Sequence, residues 1–395
     1  MSNIDRDAFQ RVDRALSRGK GVLLLGPRQT GKTTLLESIP KALTLNLAQA
    51  AARQRYERNP DLLRLEVEGL DRRKHGSPVV ILDEVQKVPA LLDVVQDLMD
   101  RKVARFVLCG SSARKLRRGP HANLLPGRLV SVRLDPLMLR EDSDRSVESR
   151  LLYGDLPGIV LRGSTADHEV DLSSYVTTYL EEEVRAEALV RNLASFSRFL
   201  ELAAAASGRI VNLRALSQDI GVAHTTIADY YQILEDCLIV ERIEPYVKSS
   251  TRKKLTRSPC ILFFDLGVRR LAANEGQRPP RERLGDWFEH WVGLELVRMT
   301  RARPGKCPLR FWRDPDGPEV DWVLDLDDEL VPIECKWSES PLPRDARHLG
   351  TFLAEHPSAR KAYVVCRTPR RFSIAPGVDA VPWQDLPRIV ATHVS

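Results

Sequence analysis

Short, largely apolar runs punctuate the start of the chain, at 22–25, 43–47, 79–82, 105–109 and 129–134. Helical stretches separate them. A strand buried on both faces reads as a continuous apolar run, and strands that alternate with helices build a parallel sheet. The pattern predicts an α/β domain over residues 1–140. Residues 141–150 are charged, with Val147 as the lone apolar side chain, so a linker is expected to start there. Residues 171–240 have helical character throughout, and Ala203–Ala206 lie inside an Ala-rich helix.

Within that stretch, Leu213, Leu216, Ile220, Ile227, Tyr231 and Leu234 keep helical spacing on either side of Gly221. This is a helix-turn-helix pattern. Leu238–Val240 and the following Glu241-Arg242-Ile243 would begin a wing. From about residue 259 strands return, and 309–337 reads as a strand hairpin. Three domains are expected: 1–140, a helical linker and winged helix over 141–258, and a second α/β domain over 259–395.

The first apolar run leads into Gly26-Pro27-Arg28-Gln29-Thr30-Gly31-Lys32-Thr33, followed by Thr34 and a helical stretch. Strand, glycine-rich loop and helix are the context of a phosphate-binding loop. Inward-turned backbone N–H groups and the helix N-terminus would cradle phosphate oxygens. Lys32 would reach the β- and γ-phosphates of ATP, and the Thr33 hydroxyl would take Mg²⁺. The third run ends in Asp83 and Glu84. Asp83 would hold the Mg²⁺, and Glu84 would orient or deprotonate the attacking water. The fourth run ends in Gly110-Ser111-Ser112. Ser111 or Ser112 either senses the γ-phosphate or caps the next helix. Arg128, in Pro126-Gly127-Arg128, suits an arginine finger reaching a neighbouring subunit's nucleotide; the alternative is a surface arginine in a basic stretch.

A second constellation lies near the C-terminus. Glu319-Val320-Asp321 and Ile333-Glu334-Cys335-Lys336 flank the acidic turn of a predicted hairpin. Glu334 and Lys336, one residue apart, share a strand face. Upstream, an amphipathic helix starting near Trp287 would offer Glu289 to the same side. This is the layout of a metal-dependent phosphodiesterase. Glu289, Asp321 and Glu334 would hold Mg²⁺, or Mn²⁺ in its place, and Lys336 would neutralise charge on the attacked phosphate.

Composition sets few further limits. The 395 residues are 43% hydrophobic and 29% charged, as in an ordinary soluble protein. No apolar run reaches the roughly 18 residues of a membrane span. The N-terminus lacks the apolar core of a signal peptide, and a cytoplasmic location is expected. The scattered cysteines (109, 237, 260, 307, 335 and 366) form no C-x-x-C and read as small core residues. The net charge of +6 is clustered: residues 101–133 carry nine Lys/Arg and no Asp/Glu, and residues 248–257 carry five and none. Such runs suit phosphates, or serve as a solvated face. The second helix of the helix-turn-helix would present His224, Thr225, Thr226 and Asp229, which are poor phosphate ligands, so a packing or assembly role is equally open.

Taken together, these residues resemble a large prokaryotic family of AAA-superfamily ATPases with a C-terminal domain of unknown function. The Gly26–Thr33 loop, Ile81–Pro89, Gly110–Ser112 and Pro126–Arg128 resemble its ATPase half. Leu255–Pro259, Phe263–Gly267, Phe311–Asp314, Glu319–Asp321 and Ile333–Lys336 resemble its C-terminal half. The resemblance implies a winged helix followed by a restriction-endonuclease-like PD-(D/E)xK fold, as in Holliday-junction resolvases. It also implies DNA transactions on duplex or branched DNA and a tendency to form a homo-oligomeric ring, a hexamer being one size open to it. Tyr179-Leu180-Glu181-Glu182-Glu183 departs from the family in its last position, where Asp is frequent. One functional expectation is ATP turnover coupled to a nuclease-like domain. The other is an ATP-dependent signalling or toxin-like switch whose nuclease fold is structural. A small-molecule kinase is disfavoured, because no acceptor-pocket signature is visible.

Overall fold

Alternate residues of the first apolar run face opposite ways, and both faces are covered. Val22 and Leu24 pack with Val12, Leu16, Leu35 and Leu36, while Leu23 and Leu25 pack with Leu63, Leu92 and Leu98. That is the arrangement a continuous apolar strand requires. The computed structural model describes residues 4–70, 77–110, 125–180, 193–248, 255–303, 305, 307–315 and 317–394. Its chain gathers into two compact units, Met1–Pro136 with Asp236–Ile239, and Leu137–Glu235 with Val240–Ser395.

In the first unit, α1 (Asp7–Ser17), β1 (Gly21–Leu25), α2 (Lys32–Ser38) and β2 (Leu43–Asn46) are followed by α3 (Ala50–Arg58) and α4 (Leu62–Glu68). Then come β3 (Val79–Asp83), α5 (Leu91–Asp100), β4 (Arg105–Gly110) and β5 (Leu129–Arg133). The strands form a five-stranded sheet in the order β2-β3-β4-β1-β5, every pairing parallel. All of the strands read from the apolar runs are present. β4 lies between the strand that feeds the glycine-rich loop and the strand that ends in Asp83.

The second unit opens with α6 (Val147–Tyr153), α7 (Pro157–Val160) and α8 (Thr165–Ser174). Next come α9 (Leu193–Ala205), α10 (Leu213–Ile220), α11 (His224–Asp236), β6 (Val240–Pro245) and β7 (Cys260–Phe263). α12 (Leu266–Ala272), α13 (Arg283–Arg301), β8 (Leu309–Arg313), β9 (Glu319–Asp325) and β10 (Leu330–Lys336) follow. The unit closes with α14 (Arg347–Glu355), β11 (Ala362–Cys366), β12 (Phe372–Ala375), β13 (Val378–Pro382) and α15 (Leu386–His393). Its eight-stranded sheet runs β12-β13-β11-β10-β9-β8-β6-β7. α13 and α15 pack on one face through Trp291, Leu296 and Ile389, and α14 packs on the other through Leu349 and Phe352.

The structure amends the sequence reading at three places. The helix-turn-helix forms as α10, a turn at Gly221 and α11. Its following strand, β6, is not confined to a wing, because it pairs with β7 and also runs parallel to β8. The boundary expected at 258/259 therefore falls inside one unit. The charged stretch 141–150 is no loose linker either. Ser146 caps α6 through the Ser149 amide, and Val147 and Leu151 are buried. Arg150, fully buried, donates to Asp155 Oδ1 at 2.7 Å and to the Asp142 carbonyl, and Arg145 also pairs with Asp155. Finally, α13 is not amphipathic: Trp287, Phe288, His290, Trp291, Leu294 and Glu295 are all buried.

Candidate functional sites

In the first unit the expected nucleotide residues meet at the carboxyl edge of the parallel sheet. β1 ends at Leu25, and Gly26 to Gly31 turn over the edge into α2, whose first residues are Lys32, Thr33 and Thr34. Gly31 has φ +93°, a left-handed conformation that glycine adopts freely, and Gln29 is also left-handed at φ 60°. Thr30 is buried, and its hydroxyl donates to the Pro27 carbonyl at 2.9 Å, which pins the loop. Lys32 Nζ donates to the Gly26 and Pro27 carbonyls at 2.8 and 2.7 Å. Burial lowers the Lys32 pKa, while the charges of Glu84 and Asp83 act to raise it. Arg28 is exposed beside this cluster.

Asp83 closes β3, and Glu84 follows it in a left-handed conformation (φ 57°, ψ 40°) that few residues with a side chain adopt. The bend breaks the strand at once into a 3₁₀ turn, Val85–Lys87. Burial, reinforced by Asp83, raises the Glu84 carboxyl pKa, and Lys32 works against that rise. Lys32, Asp83 and Glu84 thus form one electrostatic group. Two neighbours escaped the sequence reading. Arg6 donates to the carbonyls of Thr30 and Asp135 at 2.9 and 2.6 Å, tying the loop to the chain beyond β5; nothing in its local sequence marks it. Gln86 Nε2 donates to Glu84 Oε2 at 2.8 Å. Ser111 and Ser112 lie outside the described residues, as do residues 181–183 of the run that begins at Tyr179 and most of the basic run 248–257.

Arg128 stands elsewhere. Gly21 pairs with Leu129, so Arg128 lies at the amino edge of the sheet, opposite the loop at 26–31. Its guanidinium grips Asp100 with two hydrogen bonds, Nε–Oδ1 at 2.5 Å and Nη2–Oδ2 at 3.0 Å. Arg128 is not part of the chain's own nucleotide site.

In the second unit the hairpin expectation holds for β9 and β10, whose register sets Trp322 against Ile333. Asp321 Oδ2 accepts the Cys335 amide at 2.8 Å. Lys336 Nζ pairs with Glu334 Oε1 at 2.7 Å, while Glu334 Oε2 is buried with no hydrogen-bond partner among the described residues. The Glu289 carbonyl accepts from Trp322 Nε1 at 3.1 Å, which locks α13 to β9. Burial and then Asp321 raise the Glu289 carboxyl pKa, and burial and then Glu334 raise that of Asp321. Burial pushes Glu334 up to about 7. At Lys336 burial acts to lower the pKa, but Glu334 and Asp321 outweigh it and hold the ammonium charged. Glu319 also acts on all three carboxyls. It was missed, although it lies two residues before Asp321 on the same strand face, which a period of two would have flagged.

The orphaned Glu334 oxygen and the repelling carboxyls suit a hard divalent cation, whose ligands are oxygens. The side chains are not drawn into a cage, since no three His, Cys, Asp or Glu among the described residues lie close enough to hold an ion.

Comparison with known proteins now has geometry to attach to. The family described as an AAA domain matches residues 18–142. Two families described as domains of unknown function, DUF8612 and DUF4143, match residues 144–278 and 284–386. The uncharacterized proteins Mb2031c of Mycobacterium bovis and Rv2008c of Mycobacterium tuberculosis are each 30% identical over 379 residues, covering 95% of this chain and 83% of theirs. The chain belongs to their family. The uncharacterized protein MJ1637 of Methanocaldococcus jannaschii is 24% identical over 309 residues, spanning 66% of this chain and 64% of its own. Among solved structures, Aeropyrum pernix Orc1 in complex with DNA matches at 13% identity and a TM-score of 0.28, over 68% of this chain and 91% of that one. Cdc6p of Pyrobaculum aerophilum matches at 14% identity and 0.29, over 70% and 97%. Likenesses this slight do not say what the family does. Residues 18–142 of this chain form an AAA-type, ATPase-like domain, and no helix among the described residues is long and apolar enough to cross a membrane.

Proposed function

We propose that the protein hydrolyses ATP at the carboxyl edge of its first sheet and couples turnover to DNA processing by its second unit. One observation carries the ATPase reading: the phosphate-binding loop, Lys32, Asp83 and Glu84 lie on one sheet edge, with β4 between the two motif strands. The loop amides and Lys32 would hold the phosphates, Thr33 and Asp83 would hold Mg²⁺, and Glu84 would take the proton of the attacking water. In the second unit Asp321 and Glu334, with Glu289 beside them, would hold a divalent ion that polarises a phosphodiester, and Lys336 would offset its charge. DNA, duplex or branched, is the polymer such a site would act on, and the basic runs suit its backbone.

A second reading has its own support. The carboxylates of the second unit form no closed cage, and Lys336 is already paired with Glu334. Both fit a nuclease fold kept as a scaffold in an ATP-dependent switch. The deciding experiment measures Mg²⁺-dependent ATP hydrolysis by the full chain with linear, forked and four-way DNA, and cleavage of each. Hydrolysis stimulated by DNA supports the first reading. Hydrolysis indifferent to DNA, with no cleavage, supports the switch. Failure of any ATP hydrolysis overturns both.

A further inference from the structure

Gln86 is buried at 8% exposure directly behind the proposed catalytic carboxylate. It reaches that place because Glu84 turns left-handed and the next residues coil into the 3₁₀ turn, with Val85 fully buried as the anchor. The side chain then crosses the end of β4. A Cβ added at Gly110 would stand 2.5 Å from Gln86 Oε1, so the amide fills the space a larger residue would take. Gly110 pairs with Leu25, the last residue before the phosphate-binding loop. A carboxylate only accepts, so the amide NH₂ must face Glu84, and the carbonyl oxygen must face Gly110. The donor reaches Glu84 Oε2 at 2.8 Å. The carbonyl is buried with no partner among the described residues. A buried polar atom left in this way is costly to retain, which points to a task for the amide beyond packing.

We propose that Gln86 is a positioning residue for ATP hydrolysis: wedged against Gly110, it holds the Glu84 carboxylate on the attacking water. The inference rests on the ATPase reading above. Gln86 touches neither phosphate nor metal in this scheme, so its loss should spare nucleotide binding. A base held in place by one neighbour loses much of its rate when that neighbour goes, because small errors of placement cost large factors.

The test is steady-state Mg²⁺–ATP hydrolysis by the full-length chain, with affinity for a fluorescent ATP analogue measured alongside. Gln86→Met keeps length and volume and removes the donor. Its kcat should fall on the order of 10- to 100-fold, with KM and analogue affinity held within about twofold. Gly110→Ala should reproduce the loss with Gln86 unaltered, because the new methyl displaces the amide. In the Glu84→Gln background, Gln86→Met should cost nothing further, since the group it positions is gone. Gln86→Glu, which sets carboxylate against carboxylate, should lose at least as much kcat as Gln86→Met and covers the case in which the methionine variant does not fold. Wild-type-like kcat in Gln86→Met or in Gln86→Glu, affinity falling in step with kcat, or an additive loss in the Glu84→Gln background each overturn the role of Gln86 while leaving the ATPase reading intact. A wild-type chain that binds the analogue yet hydrolyses no ATP overturns the ATPase reading, and this inference with it.

Discussion

At the scale of single residues, Lys32 and Glu84 would divide binding from chemistry in the proposed ATPase. Lys32→Ala removes the half-buried ammonium over the phosphate-binding loop and should weaken ATP binding, as read by equilibrium titration with a labelled nucleotide. Glu84→Gln keeps the shape and removes the proton acceptor. ATP should bind and persist, with turnover reduced by roughly a hundredfold or more, as measured in a single-turnover assay. Both residues were legible in the sequence, because a loop motif and an acidic pair after an apolar run carry their meaning in local spacing. Gln86 was not, because the role proposed for it depends on a left-handed residue and on a glycine in a different strand. Ionisation gives a further prediction. Glu334 has its folded pKa raised from 4.5 to about 7. A raised pKa contributes stability that is full below the unfolded value and is lost as pH rises through the folded one. Wild-type stability should therefore decline between about pH 4.5 and pH 7. Glu334→Gln should flatten part of that decline in chemical denaturation curves taken across the window.

At the scale of elements, Arg128 shows how a motif can be read without its address. The Pro126-Gly127-Arg128 run sits at the amino end of β5, and the bidentate grip of Asp100 on α5 holds the guanidinium at the edge away from the chain's own loop. To act as a finger, an arginine placed there would have to serve a neighbouring subunit and leave Asp100. Arg128→Ala should lower hydrolysis by roughly a thousandfold with nucleotide affinity spared. Mixing it with Lys32→Ala protein should restore turnover at interfaces that retain both residues, and no restoration in subunits shown to exchange rules out the trans role. The stretch 141–150 teaches the reverse lesson. Charge alone reads as linker, yet Arg145 and Arg150 converge on buried Asp155, where Arg298 of α13 also lies at 3.4 Å. A partner as distant in sequence as Arg298 leaves no periodic signal. Arg150→Met removes one of three cations around Asp155 and the donor to the Asp142 carbonyl, and should destabilise the second unit by about 1–3 kcal/mol, as read from the midpoint of urea unfolding.

At the scale of the whole molecule, element types were legible and their grouping was not. The parallel sheet of the first unit follows from apolar runs because its central strands, β3, β4 and β1, are covered on both faces. The second sheet is assembled from strands drawn across a long span of chain, and β6, read as the start of a wing, is held by β8 from well beyond the expected boundary. A fragment that starts at residue 259 keeps β8 and loses β6. It also leaves β7 without the neighbour that holds it in the sheet. β8 would then present a row of unpaired N–H and C=O groups along one side, ready to pair with another chain. Such a piece should self-associate in light scattering, whereas one that starts at residue 137 and retains β6 should not. The same dependence sets an order during synthesis. β6 leaves the ribosome long before β8 exists, so β6 and β7 must wait with one side open, and the largest sheet of the protein can close only when its C-terminal third has been made.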